Sequence, residues 1–518
     1  MMNKENACIY ELKSKGRQTY PFALEHVLPD YLPDVRKMLM CCPRIKSFQF
    51  QPDTDQLHFG GELSTTLLFM SEEGKLLSTV LTQNFACTAD ANGVNPESVL
   101  FALPRIIKSE ARALSPRKIT LKSEVEIAYK VFSLACVSPQ VKGGKTRDDE
   151  LTVEKKSSAF LSSRFEMLKE SELRISQDVL PDASQGQISD LLICDIRPST
   201  DEIRCFDGRA SVKGRVFADL LCRGEGDPAD EIRIQQVFPF SIQLDDPRLT
   251  PDSILQGQFC VKDIEAQVQN DAYGERRLIE LDCSLIGQFM LSNAMECMTV
   301  ADAFSTAFES ELSYQTLPGT LALSSFSVSV SDECECGSLG EENGHAVFAR
   351  VSPTDVSVRE ENGRLAFDVN SLVTCLTAKD GIDPYEISEK NVTAKVVTSL
   401  PIPDGSYDAE AVCSAVVTGM RIDGGTIRLR YELLLTAFTS LSTSCQSVSA
   451  ITLHREKPIK EKRNMILVYP NADEQSWDIA KRYHIPTAAA AAGKRGEDGS
   501  YYCLRPGRFV GSGIMEAK

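Results

Sequence analysis

Tryptophan occurs once in the 518 residues, as Trp477, and histidine five times, as His26, His58, His345, His454 and His484. None of the histidines lies in an HExxH helix. The chain also has no GxSxG elbow, no GxxxxGK(S/T) loop and no GxGxxG after a strand. Those are the local arrangements that build a metal-bound water, an activated serine or a phosphate cradle. Acidic side chains are abundant, but an acid and base pair is defined by pocket geometry and not by spacing. The expectation is a protein that is not an enzyme and has no cofactor or metal.

No apolar run approaches the roughly 18 residues of a membrane-crossing helix. The opening Met1-Met2-Asn3-Lys4-Glu5-Asn6 leads into polar sequence without an apolar segment of signal-peptide length. A cytoplasmic location without a membrane span is therefore expected. The seventeen cysteines include no pair of CxxC knuckles and no zinc-type Cys/His spacing. They read as reduced, buried thiols acting as small apolar side chains, with no disulfide framework. Positive charge is in deficit, 56 Lys and Arg against 73 Asp and Glu, for a formal net charge of -17. That balance opposes broad binding to nucleic acid or anionic membranes, which reward basic clusters.

What is present is repetition. At roughly 100–150 residues per domain the length suggests about three to five domains. A first copy opens with Leu28-Pro29-Asp30-Tyr31-Leu32-Pro33-Asp34, has a helix-like stretch from Arg36 to Cys41, then strand patterns over 45–50 and 57–70 around a turn at Pro52 to Asp55. A second opens at Leu180-Pro181-Asp182 and turns at Asp207-Gly208. A third, without Leu-Pro-Asp, turns at Glu361-Asn362-Gly363. Each closes on strict apolar and polar alternation, over 117–127, 276–286 and 426–435, the pattern of a half-buried strand. The fold expected is mainly β: three tandem β-rich domains, 1–137, 176–300 and 345–445, then a small α+β module, 464–518.

Between them lie a polar linker with a helix-like, charge-mixed stretch (138–175), a connector (301–344) and a basic linker (446–463). Within the connector, 302–314 reads as a short amphipathic helix with Ala303, Phe304, Ala307 and Phe308 on one side. The basic linker reads as a solvated spacer or a docking patch for an acidic partner. Asp30 and Asp34 beside prolines read as turn and cap residues. Gly60, Gly61 and Gly214, interrupting strands, mark bulges or bends.

The C-terminal module reads as strand 465–469, a helix over 475–483 capped by Asp473 or Glu474, a second helix through Ala488–Ala492 stopped by Gly493, and a strand from Tyr501. Its Trp477-Asp478-Ile479-Ala480-Lys481-Arg482-Tyr483 and later Pro506-Gly507 resemble a LysM domain. The upstream Leu-Pro-Asp openings followed by strand-glycine-strand resemble the SPOCS domain. The order of SPOCS-like repeats, the third degenerate, and one terminal LysM-like domain is similar to clostridial spore coat morphogenetic proteins. The resemblance makes Trp477, Ile479, Ala480, Tyr483, Pro506 and Gly507 the module's structural residues. It places Asp473-Glu474-Gln475 and Ser476 where LysM domains carry Gly-Asp-Thr/Ser and Leu, a departure that favours a protein surface over a glycan groove.

Recognition is expected on exposed loops of a rigid small fold: Asn471, Asp473, Glu474, Gln475 and Ser476, facing a loop with Lys494 and Arg495. The resemblance implies a scaffold of the mother-cell cytoplasm, recruited to the forespore surface. Its LysM-like module would bind the SpoIVA-type coat morphogenetic ATPase, with other coat proteins as further partners. The alternative it leaves open is a cell-wall protein that grips peptidoglycan or cortex glycan.

Overall fold

The computed structural model describes residues 7–144, 151–182, 184–226, 230–339, 344–381, 383–459, 465–471, 474–495 and 500–504. The chain is mainly β, because nearly every alternating stretch finds an antiparallel partner. Six strands come first: β1 (Ala7–Val27), β2 (Val35–Asp53), β3 (Gln56–Ser71), β4 (Leu76–Asp90), β5 (Val99–Ser115) and β6 (Lys118–Val137). One sheet has the order β1-β6-β5 and the other β2-β3-β4. Phe48, Phe59, Phe85, Ile127 and Tyr129 fill the space between them.

After the short β7 (Gln140–Lys142) the same order returns. The place of the first strand is shared by β8 (Val153–Met167) and β9 (Ser171–Val179), followed by β10 (Ile188–Phe206), β11 (Arg209–Gly224), β12 (Glu231–Asp245), β13 (Ile254–Asn270) and β14 (Arg276–Ser305). Both β9 and β8 lie along β14, opposite its first and second halves. The third round is β15 (Phe308–Ser338), β16 (Gly344–Glu361), β17 (Arg364–Lys379), β18 (Tyr385–Pro401), β19 (Tyr407–Asp423) and β20 (Thr426–Pro458). Each round is a sandwich: the first strand pairs with the last, and a three-stranded meander covers the face.

Several expectations need correction. The helix over 36–41 is part of β2, the charge-mixed stretch after residue 145 contains β8, and 302–314 is the end of β14, a turn and the start of β15. The basic linker is strand as far as Pro458, paired with β15, while Lys460 to Arg463 lie outside the described residues. Short windows do not separate helical from strand periodicity, and here long partner strands decide the outcome. Cys8 and Cys136 form a disulfide, against the expectation of none. They stand directly opposite in the β1 and β6 register, a neighbourhood that a separation of 128 residues conceals.

The repeat motifs have physical roles. Arg117, at the entrance to β6, donates to the carbonyls of Leu28 (3.1 Å), Pro29 (2.8 Å) and Leu32 (3.2 Å) and to Asp34 (2.9 Å), with Asp30 at 3.4 Å. The carboxylates thus hold a partly buried arginine and close a chain corner. Arg277 serves the second copy, donating to the Asp182 carbonyl at 2.9 Å. The register-equivalent residue in the third copy is Gly425, so the motif and its arginine are lost together. Gly61 lies opposite Phe85 and Gly214 opposite Phe240, and both glycines sit near irregularities in the neighbouring strand register. A Cβ would come 2.8 Å from the Phe85 ring or 2.6 Å from the Phe240 ring. In the third copy the pair is Val369 and Ala394, which moves the side-chain volume from one strand to the other. Asn362 and Gly363 both have positive φ, 52° and 73°, as a two-residue hairpin matching strand twist requires.

The three sandwiches meet through their meander sheets. Met40, Leu68, Ile193, Leu221, Phe348 and Leu376 belong to one shared core. Beside it the buried Asp195 carboxylate pairs with Arg197 (2.6 Å) and Arg350 (3.2 Å). Arg350 also donates to the Pro43 carbonyl at 2.9 Å and Arg197 to the Val351 carbonyl at 2.8 Å. Burial alone would raise the Asp195 pKa, but the two guanidinium groups hold it well below the usual carboxylate range.

Candidate binding site

The C-terminal segment comprises β21 (Met465–Val468), helix α1 (Ser476–Tyr483), helix α2 (Thr487–Ala491), β22 (Lys494–Arg495) and β23 (Tyr501–Leu504), with sheet order β21-β23-β22. Gln475 is the N-cap of α1 in a capping box with Asp478, so Glu474 does not take the expected capping position. The backbone N–H of Gln475 donates to Asp478 at 2.9 Å. Lys494 and Arg495, expected on a loop, form a short strand against Tyr502 and Tyr501. Gly493 permits close approach there, since a Cβ would lie 2.4 Å from the Tyr501 ring.

The segment is docked on the second sandwich. Phe304, from the end of β14, is buried in one cluster with Ile466, Ile479, Ala480, Ile485 and Tyr501. Trp477 and Tyr483 pack against that cluster half-buried. The Trp477 ring meets Phe304 edge-on, with centroids 5.2 Å apart, and its Nε1–H donates to Asp302 at 2.9 Å. Lys481 Nζ reaches both oxygens of the same carboxylate, at 2.6 and 2.8 Å. Thr487 donates to Glu154 at 2.7 Å, and His484 Nδ1 lies 2.9 Å from the Ser305 carbonyl oxygen. Burial raises the Asp302 pKa, and the hydrogen bonds from Lys481 and Trp477 outweigh it, leaving the pKa lowered.

Other residues of the segment are left to solvent. Asn471, Gln475, Ser476, Lys494 and Arg495 are exposed. Glu474 differs: its side chain is 6% exposed and its carboxylate pairs with Arg482. It also accepts the Asn471 backbone N–H at 3.3 Å. Ile479 and Ala480 are buried core. Asp473, Pro506 and Gly507 lie outside the described residues. Asp302 and Glu154, the docking groups, stand in no motif that marks them in the sequence. The continued alternation of 290–300 was a signal for strand, but the register shift between Val300 and Asp302 breaks the period just where the docking residues begin.

Among the described residues no helix is long and apolar enough to cross a membrane. Compared with family models, curated proteins and solved structures, the chain matches none.

Proposed function

We propose that the chain is a non-enzymatic, SipL-like scaffold that helps localise and encase the spore coat around the forespore. Its C-terminal segment, a LysM-like module, is the adaptor for the SpoIVA-type coat ATPase, and the SPOCS-like sandwiches supply spacing and further contacts with coat proteins. The observation that supports this most is the asymmetric use of the module's surface. One side, through Trp477, Lys481 and His484, is committed to Asp302, Phe304 and Ser305. Gln475, Ser476, Lys494 and Arg495 take no part in that contact and are exposed. A rigidly held small fold with a free polar face suits recognition better than turnover.

The test is localisation together with glycan retention. A tagged copy is expected to form a ring around the forespore that depends on the SpoIVA-type ATPase; a diffuse signal in sporulating cells contradicts the scaffold reading. Saturable retention on purified peptidoglycan, lost on deletion of residues 464–518, would instead establish the wall-binding alternative.

A further inference from the structure

At the junction of the three sandwiches lies a half-open cleft of about 570 Å³, within the size range of small-molecule sites. Corresponding strands of each sandwich line it: β2 and β5, β10 and β13, β16 and β19. Seven Lys and Arg and five Asp and Glu face it, so in a chain of net charge -17 this interior surface is locally basic. The wall between the charges is apolar, with Met40, Ile106 and Phe259 contributing.

The repeat shows which charge lacks its counterpart. Arg44 and Arg197 occupy equivalent register positions, opposite Ser64 on β3 and Phe217 on β11. Two residues earlier in the second copy stands Asp195, which receives Arg197 at 2.6 Å and 3.0 Å. Two residues earlier in the first copy stands Cys42, a buried thiol. Arg44 accordingly makes no hydrogen bond or ion pair among the described residues, and its Nη1 is buried without an acceptor. Burial lowers the Arg44 pKa, and the charges of Asp263, Asp195 and Glu62, none of which it contacts directly, offset only part of that. Arg105, which also lines the cleft, has its Nη2 paired with Glu126 at 2.7 Å, while its Nε is buried and unsatisfied.

We propose that this cleft binds a small organic oxyanion, a carboxylate or phosphate ester with an apolar body, whose charged head pairs with Arg44 in the place that Asp195 takes beside Arg197. The planar guanidinium fork suits either head group, and the apolar wall accommodates the remainder. This is separate from the C-terminal adaptor surface and stands or falls without it.

The probe is anilinonaphthalene sulfonate, an oxyanion with an apolar body, titrated by fluorescence into the full chain. One saturable site is expected, displaced by inorganic phosphate, by succinate or by both at constant ionic strength; which of them competes identifies the head group. R44M should weaken probe binding at least tenfold without lowering the melting temperature. C42D, which supplies the missing carboxylate from the chain, should weaken it similarly. R112M, at the exposed rim, should bind as the wild type does. Absence of a saturable site, equal affinity in R44M and wild type, or failure of both anions to compete overturns the proposal. Should C42D fail to fold, R44M and the competition decide it.

Discussion

Asp302→Ala removes the acceptor that Trp477 and Lys481 share. A hydrogen bond to a charged acceptor contributes about 1.5–3 kcal/mol. The ion pair adds at most about 1 kcal/mol, because Lys481 is 42% exposed and solvent screens it. The resulting loss of about 1.5–4 kcal/mol corresponds to a shift of roughly one to three decades from docked toward undocked. Phe304→Ala should act more strongly, by about 3–5 kcal/mol, since it empties a buried aromatic position. The assay is intrinsic fluorescence, which Trp477 as the sole tryptophan makes specific. Both variants should shift the indole emission to longer wavelength and make it more accessible to acrylamide, with the far-ultraviolet β signal retained. D302N, which keeps an oxygen acceptor for the indole, should shift less. The same change should appear in the wild type on acidification. The Asp302 pKa is lowered from its ordinary 3.8, so its contribution is present above that value and is lost as pH falls through the lowered one. Unchanged emission and quenching in both D302A and F304A would refute the docking argument.

Further outcomes follow from the sandwiches. R117A should lower stability by about 2–4 kcal/mol, read as a lower chemical-denaturation midpoint at unchanged slope, from several hydrogen bonds at about 0.5–1.5 kcal/mol each. R117K should recover part of it, lacking the planar fork. His345 and Tyr385 both contact Glu231 between the second and third sandwiches. The hydrogen bond to Glu231 raises the His345 pKa above 6.5. Burial raises that of Glu231, but its hydrogen bonds with His345 and Tyr385 leave it below 4.5. The histidine contribution is therefore lost as pH rises through its raised value, and the glutamate contribution as pH falls through its lowered one. Melting temperatures of wild type and H345Q should converge at alkaline pH and differ most between those limits. Thiol titration of the denatured, unreduced chain should count fifteen groups, rising to seventeen after reduction; seventeen before reduction excludes the Cys8–Cys136 bond.

Much of the β architecture was legible in the sequence because alternation is local: 118–127, 276–286 and 426–435 all lie in strands, β6, β14 and β20. The hairpin turns were legible for the same reason, since Asn362-Gly363 carries its own backbone requirement. The helices expected at 36–41 and 302–314 failed because a few apolar residues fit either period, and the decision lay with partners far along the chain. Distance in sequence likewise hid the Cys8–Cys136 pair and the corner that Arg117 closes. In the C-terminal segment the approximate positions of α1 and α2 were legible from composition and apolar spacing, while the N-cap of α1 was not. Asp302 was not, because its role exists only once the segment is docked on the second sandwich.

The central claim is that the exposed side of the docked C-terminal segment recruits the SpoIVA-type coat ATPase. The most direct measurement is the affinity of the full chain for that purified ATPase, alongside the full-length double variant K494E/R495E, both of whose sites are exposed strand positions. Saturable binding by the wild-type chain is expected, with at least a tenfold loss in the variant and Trp477 emission unchanged. No binding by the wild type, or equal affinity in the variant, would contradict it.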